Sequence, residues 1–230
     1  MERYILMLHY AEHRGIFVNK YWMGNKILPW ILAPFFGIPP GMYPLHHVVM
    51  HHIENNVFNE DLSSTEPYQR DKFTHFLHYW AKYFASLYGL PLYAIAKGRY
   101  ALAAQSMLGT GWLVVTLYLG MVHTDNAIAT GYVVLAPFLI ASFALMFGNF
   151  SQHIFVHPNI ATIPQKLKSY EFNCYLSMQL INSFENQKTF NDGYHVTHHI
   201  NSQCHWSDMP AHFLTNLEKF RDCDAFVFHR

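Results

Sequence analysis

The chain has 230 residues, and its 15 Lys plus Arg are balanced by 15 Asp plus Glu. No net charge is left to draw nucleic acid, which excludes an electrostatic nucleic-acid binder. Charged residues make up 13% and hydrophobic ones 51%, while 17 histidines outnumber the charges of either sign. The length suits one domain, 1–230. Cys174, Cys204 and Cys223 form neither an even set nor a CxxC, so they are expected as reduced, inert thiols.

In chain order, Met1–Leu8 reads as the tail end of an apolar helix with no signal-cleavage site, which fits either a start inside a longer protein with upstream transmembrane helices or a reduced chain. "HYAEH" places His9 and His13 at i and i+4. Residues 14–45 are broken by Gly15, Gly24, Pro29, Pro34, Gly37, Pro39, Pro40, Gly41 and Pro44, which forbids one long helix. "HHVVMHHIENN" follows at 46–56, then a polar loop over 54–72. Residues 73–96 are apolar but carry His75, His78 and Lys82, which fits a helix lying in the membrane interface. Residues 100–122 and 127–148 are free of charge and each long enough to span a bilayer. The turn "HTDN" makes them a transmembrane hairpin, with Pro137 expected to kink the second helix. "NFSQH" places Asn149 and His153 at i and i+4. The polar remainder holds "HVTHH" (195–199) and helical stretches near 166–188 and 211–222.

Spacings of three and four put side chains on one helix face. His9 and His13, then His47, His51 and His52, then Asn149 and His153, then His195, His198 and His199 can therefore each aim several groups at one spot. Imidazole suits Fe, Zn and Cu. The inventory exceeds one four-ligand site, so two metal ions are expected. Glu12, Glu54 and Asp192 lie beside ligand positions as candidate partners for imidazole N–H groups, with His46 and His157 as candidate supporting histidines. "NEDLSST" (59–65) and "HWSDMP" (205–210) are expected to be solvated connecting loops.

These motifs resemble the membrane fatty-acid desaturase family. "HYAEHRGIF", "HVVMHHIENN" and "FNDGYHVTHH" are similar to its three histidine boxes, and "NFSQH" to its Asn-x-x-x-His element. The resemblance implies a non-haem diiron centre and O2 as co-substrate. It implies a lipid or fatty-acyl substrate, with His153 on iron and Asn149 acting through a water. No His-Pro-Gly-Gly signature of a fused cytochrome b5 domain is present, so electrons would come from a separate donor such as cytochrome b5 or ferredoxin. Soluble diiron proteins are instead rich in Glu ligands.

One dimetal site needs every cluster on the same membrane side. Residues 14–46 are too few for two spans of about 20 residues each, so 28–45 should be in-plane or re-entrant. Residues 73–96 should lie in the interface and only the hairpin should cross. Lys97, Arg99, Lys166 and Lys168 then share the metal side, and the far turn carries Asp125. The asymmetry places the site on the cytosolic, stromal or matrix face of an endoplasmic-reticulum, plastid or mitochondrial membrane. The expected fold is an all-α integral membrane protein: a transmembrane hairpin, interfacial helices and a His-rich metal-binding cap. A lipid or carotenoid hydroxylase of the same metal class, a desaturase-like subunit of a larger membrane complex, and a haem-binding helix bundle are the alternatives.

Overall fold

The computed structural model describes residues 1–156 and 170–229, which are mostly helical. Helix α1 (Glu2–Arg14) buries Tyr4, Ile5 and Leu8 along with His9 and His13. Tyr4 anchors it by donating its hydroxyl to the Leu28 carbonyl at 2.6 Å. Two short helical turns, Leu28–Leu32 and Ala33–Phe36, then lead to a reversal. The Gly41 N–H reaches back to the Pro29 carbonyl at 3.0 Å, so the segment folds on itself. The reversal is wedged against later helices. Gln105 donates to the Gly41 carbonyl at 2.9 Å, and a Cβ on Gly37 would fall on the Pro137 backbone. Gly37 also has a φ of 82°, so both conformation and contact demand glycine there.

Helix α2 is wound as a π-helix over Pro44–His51 and as an α-helix over His52–Glu54. Helix α3 (Phe73–Ala96) crosses helices α4 (Tyr100–Val122) and α5 (Ala127–Gln152). Its start sets Phe76 edge-on to Phe147 and Phe150 of α5, and its middle sets Phe84 against Phe138. Its end packs Leu90 and Ala94 with Ala103 of α4. Both of its ends are tied to the preceding polar loop. Tyr79 donates to the Ser63 carbonyl, while Lys97, just beyond the helix, pairs with Glu54 and Glu60.

Helices α4 and α5 are the two described helices long and apolar enough to cross a membrane, at 23 and 26 residues. Only 28% and 17% of their most apolar windows are buried inside the protein. Leu108, Val115, Ile128, Tyr132, Ile140 and Phe147 all face outward, an apolar area that water would not tolerate without a cover. The helix widens to a π-turn over Gly131–Leu135, just before Pro137, whose missing N–H leaves a carbonyl free. It runs past the expected limit of 148 to Gln152 and so carries Asn149 on its last turn.

The C-terminal part contains α6 (Tyr170–Leu176), β1 (Met178–Ile181), α7 (His195–Ile200), α8 (Met209–Thr215), α9 (Leu217–Asp222) and β2 (Phe226–His229). β1 and β2 pair in parallel, Met178 opposite Phe226 and Ile181 opposite His229. This ladder adds a short strand pair to the mostly helical fold, and β1 interrupts the helical stretches expected near 166–188, of which Tyr170–Leu176 and the turn Phe184–Gln187 are helical. Each strand is four residues long, too short for a period to declare itself. Residues 157–169, with His157, Lys166 and Lys168, lie outside the described residues. Below α7, Val196 packs with Met209, Phe213 and Phe220. Cys174 and Cys223, expected as separate thiols, are instead joined by a disulfide across 49 residues of sequence, and Cys204 is free.

Candidate metal centre

The four clusters converge. On α1, His9 and His13 share the inward face and are 6% and 7% exposed. On α7, His195 and His199 are one turn apart with their Nε2 atoms 3.1 Å from each other. Helix α2 needs a different winding to contribute three rings. In an α-helix the fifth residue on is turned about 140° away from the first, so His52 would point off the face of His47. Here the His52 N–H bonds to the His47 carbonyl, an i to i+5 closure. The wider turn brings His52 back, and its Nε2 lies 3.2 Å from that of His47. His153 ends α5 and reaches His51 at 3.2 Å and His195 at 3.0 Å, again between Nε2 atoms.

Two groups of four result. His9, His13, His47 and His198 form the first, and His51, His153, His195 and His199 the second, with ligand atoms in each within 4.8 Å of one another. His52 lies between them. Its ring stacks on His199 at 4.3 Å and stands edge-on to His13 at 4.3 Å and to His198 at 4.7 Å.

The contacts fit a metal better than a hydrogen-bond network. His9 and His198 bring their Nε2 atoms to 2.7 Å, and one proton can serve only one such pair. Nitrogens bound to one ion at about 2.0–2.1 Å sit roughly 3 Å apart. The His13 Nε2 is buried without a partner in the protein, the state of a ligand atom facing a cation. Burial, reinforced by neighbouring imidazoles, holds His9, His47, His52, His195, His198 and His199 well below the ordinary histidine range. The same causes bring His13 down to about 4 and His153 to about 3. The rings are therefore neutral near pH 7, the form that ligates.

Behind the second group stands a polar shell. His51 Nδ1 donates to Asp61 Oδ2 at 2.7 Å. The Asn56 N–H also meets Oδ2, and the Ser63 N–H and hydroxyl meet Oδ1, so the carboxylate is fully engaged. Burial pushes Asp61 up, but His51 and Ser63 outweigh it and hold the carboxyl well below its usual range. His153 Nδ1 donates to the Leu176 carbonyl at 2.6 Å. Both bonds put the proton on Nδ1 and leave Nε2 free to ligate. Thr65 donates to the His153 carbonyl, and Asn56 accepts from the Thr65 N–H. The loop 59–65 is thus no solvated connection, since Asp61, Ser63, Ser64 and Thr65 are all buried. Asp61 was missed because nothing in a polar loop of Asn, Asp, Ser and Thr marks which carboxylate turns inward.

The other expected partners stand elsewhere. Glu54 accepts from Tyr93 and pairs with Lys97, not with an imidazole. Among the described residues Glu12 has no imidazole bond, and burial, opposed by Lys26, raises its carboxyl to about 7. Asp192 accepts from Gln152 at 2.6 Å, and burial raises it to about 6 against that bond. His46 packs against Tyr83 beside His47 and His51, and burial lowers it to about 4. Asn149 donates to the Ser63 carbonyl and the Tyr79 hydroxyl, next to His47 in a cleft wall. Gly193 admits the third box, because a Cβ there would strike the Leu180 carbonyl and the Asn186 carboxamide.

A cleft of about 600 Å³ opens on the rings. His9, His47 and His195 form one wall, and Phe143, Leu145 and Phe147 of α5 line its apolar side. A family model for fatty acid desaturases matches residues 3–230. The chain belongs to the fatty acid desaturase family. No curated protein and no solved structure gave a match. Family membership and the two His groups fit a histidine-box dimetal site, and the two apolar helices fit membrane association.

Proposed function

We propose that this desaturase-family chain removes two hydrogens from a lipid acyl chain, using O2, a histidine-held iron pair and electrons from a separate carrier protein. The observation that carries the reading is the pair of buried four-histidine groups facing one apolar cleft. His9, His13, His47 and His198 would hold one iron and His51, His153, His195 and His199 the other. His52 lies between them, and Asn149 acts through a water. When bound, the iron pair supplies activation of O2 and abstraction of hydrogen from an unactivated CH2 group.

The chain's own residues bind and orient. Phe143, Leu145 and Phe147 offer an acyl chain an apolar path from the outward face of α5 to the rings, and they keep water away from it. Asp61 and the Leu176 carbonyl hold two imidazoles in one tautomer and orientation. The contacts support one membrane arrangement. Helices α4 and α5 cross, residues 28–41 enter and return, and α3, with both ends tied to the 54–66 loop, lies in the interface. Lys97 and Arg99 then sit on the metal side, which is cytosolic, stromal or matrix-facing.

The test is product analysis. Iron-loaded protein in lipid, given O2 and a reduced carrier, is expected to yield lipid two mass units lighter, the mass of two hydrogens. Gain of an oxygen atom would mean a hydroxylase. Unchanged lipid despite a reducible iron pair would favour a non-catalytic subunit.

A further inference from the structure

An iron pair buried this deeply needs a way for electrons to arrive, and ring contacts give the direction. Among the described residues, the nine clustered imidazoles touch two other aromatic side chains, Tyr43 and Tyr10. Tyr43 stacks on His47 and continues to no further ring. Tyr10 stands edge-on to His198 with centroids 5.5 Å apart and continues outward. It meets Phe190 at 6.3 Å, Phe190 meets Trp206 at 5.5 Å, and Trp206 meets His205 at 5.3 Å. Three separate parts of the sequence thus build one line of rings, from a buried ligand to a half-buried tryptophan.

The line is held in place. The Tyr10 hydroxyl meets the Met209 sulfur at 3.7 Å, and Asn191 donates to the Trp206 carbonyl at 2.9 Å. Tyr10, Phe190 and Trp206 together form a wall of a second cleft, of about 440 Å³, which shares no lining residue with the acyl cleft. Arg14, Gly15, Cys204, His205 and Trp206 are among its walls, and the described residues that line it include no carboxylate. A cleft whose one fixed charge is Arg14 suits the acidic face of a partner.

We propose that Trp206, Phe190 and Tyr10 form the electron entry of this chain, and that a small one-electron carrier protein with an acidic face docks over the Arg14–Trp206 cleft. The inference rests on the iron-pair reading above. Each transfer oxidises the carrier by one electron and reduces one metal ion by one electron, with no bond made or broken. Two transfers deliver the pair of electrons that a turnover consumes. Trp206, Phe190 and Tyr10 are conduits and touch no substrate.

The test is stopped-flow reduction of the iron-loaded protein, followed by the absorbance of the metal site. Soluble cytochrome b5 and plant-type ferredoxin serve in turn as protein donors, and dithionite with a small mediator serves as the chemical one. Trp206→Leu is expected to slow reduction by the effective protein donor about tenfold or more, with metal content and the dithionite rate unchanged. Trp206→Phe, which restores a ring, should recover most of the rate. Arg14→Gln should raise the half-saturating donor concentration, most clearly at low salt. An unchanged donor-driven rate in Trp206→Leu would overturn the route, and so would equal slowing with both kinds of reductant. A wild-type protein whose loaded metal dithionite itself cannot reduce would overturn the iron-pair reading first, and this inference with it.

Discussion

The two histidine groups are built from the same ring and held differently. In the second group His51 and His153 each donate a buried Nδ1–H to a fixed acceptor, Asp61 and the Leu176 carbonyl. In the first group, among the described residues, no imidazole bonds to a protein group other than another histidine; His198 Nδ1 and His13 Nε2 are buried without partners there, as are His195 Nδ1 and His199 Nδ1 in the second group. The first group supplies two of the three cleft-wall imidazoles and carries the ring line at His198. The difference separates anchorage from access. One half has two rings fixed by the protein behind it, and the other has none, on the side where the proposed substrate and electron routes approach.

Removing a ligand from either half is the largest break. His51→Ala and His198→Ala are each expected to abolish turnover and to lose metal, read by elemental analysis of the purified protein. A full metal complement in either variant would refute that ligand's assignment. Asp61→Asn touches only the anchored half. It should weaken metal binding by about 10–100-fold in a chelator competition. Glu54→Gln should cost far less, because Glu54 serves Tyr93 and Lys97. Equal effects from the two variants would erase the contrast between the halves.

Acid should act on both halves. Unfolded histidines titrate near 6.5, whereas in the fold burial holds His13 of the first group neutral to about pH 4 and His153 of the second to about pH 3. Between those values the unfolded chain binds more protons, so stability falls as pH drops through that window. Thermal melts of metal-free protein at pH 7.5, 6 and 5 should show a progressive loss, and a flat profile would contradict neutral buried rings. The smallest expected effect is Gly193→Ala. Its Cβ must displace the Leu180 carbonyl or Asn186, at a cost of about 1–3 kcal/mol in a chemical melt, with both groups still able to bind metal.

Much of the centre was legible from spacing alone. His9 with His13, His47 with His51, and His195 with His199 lie on one face by helix geometry, and the two uncharged stretches announced themselves as the helices long and apolar enough to cross a membrane. What escaped depends on contacts between distant residues or on departures from ideal winding. The box motif includes His52, but the π-winding of α2 that turns it back to His47 is not revealed by the residue pattern. Asp61 looks like any loop aspartate until Asn56 and Ser63 fold it inward. The β1–β2 ladder brings residue 178 to residue 226 through two runs too short to show a period. The ring line needs positions 10, 190 and 206 together, and "HWSDMP", expected to be a solvated loop, supplies its outer end.

The central claim is that this chain holds two metal ions, one in each histidine group. Metal analysis of protein purified from iron-replete cells, paired with Mössbauer spectroscopy of iron-57-loaded protein, tests it most directly. The account predicts about two irons per chain, one for each four-histidine group, in a spin-coupled pair. A single iron per chain after full loading, or two irons without magnetic coupling, would contradict it.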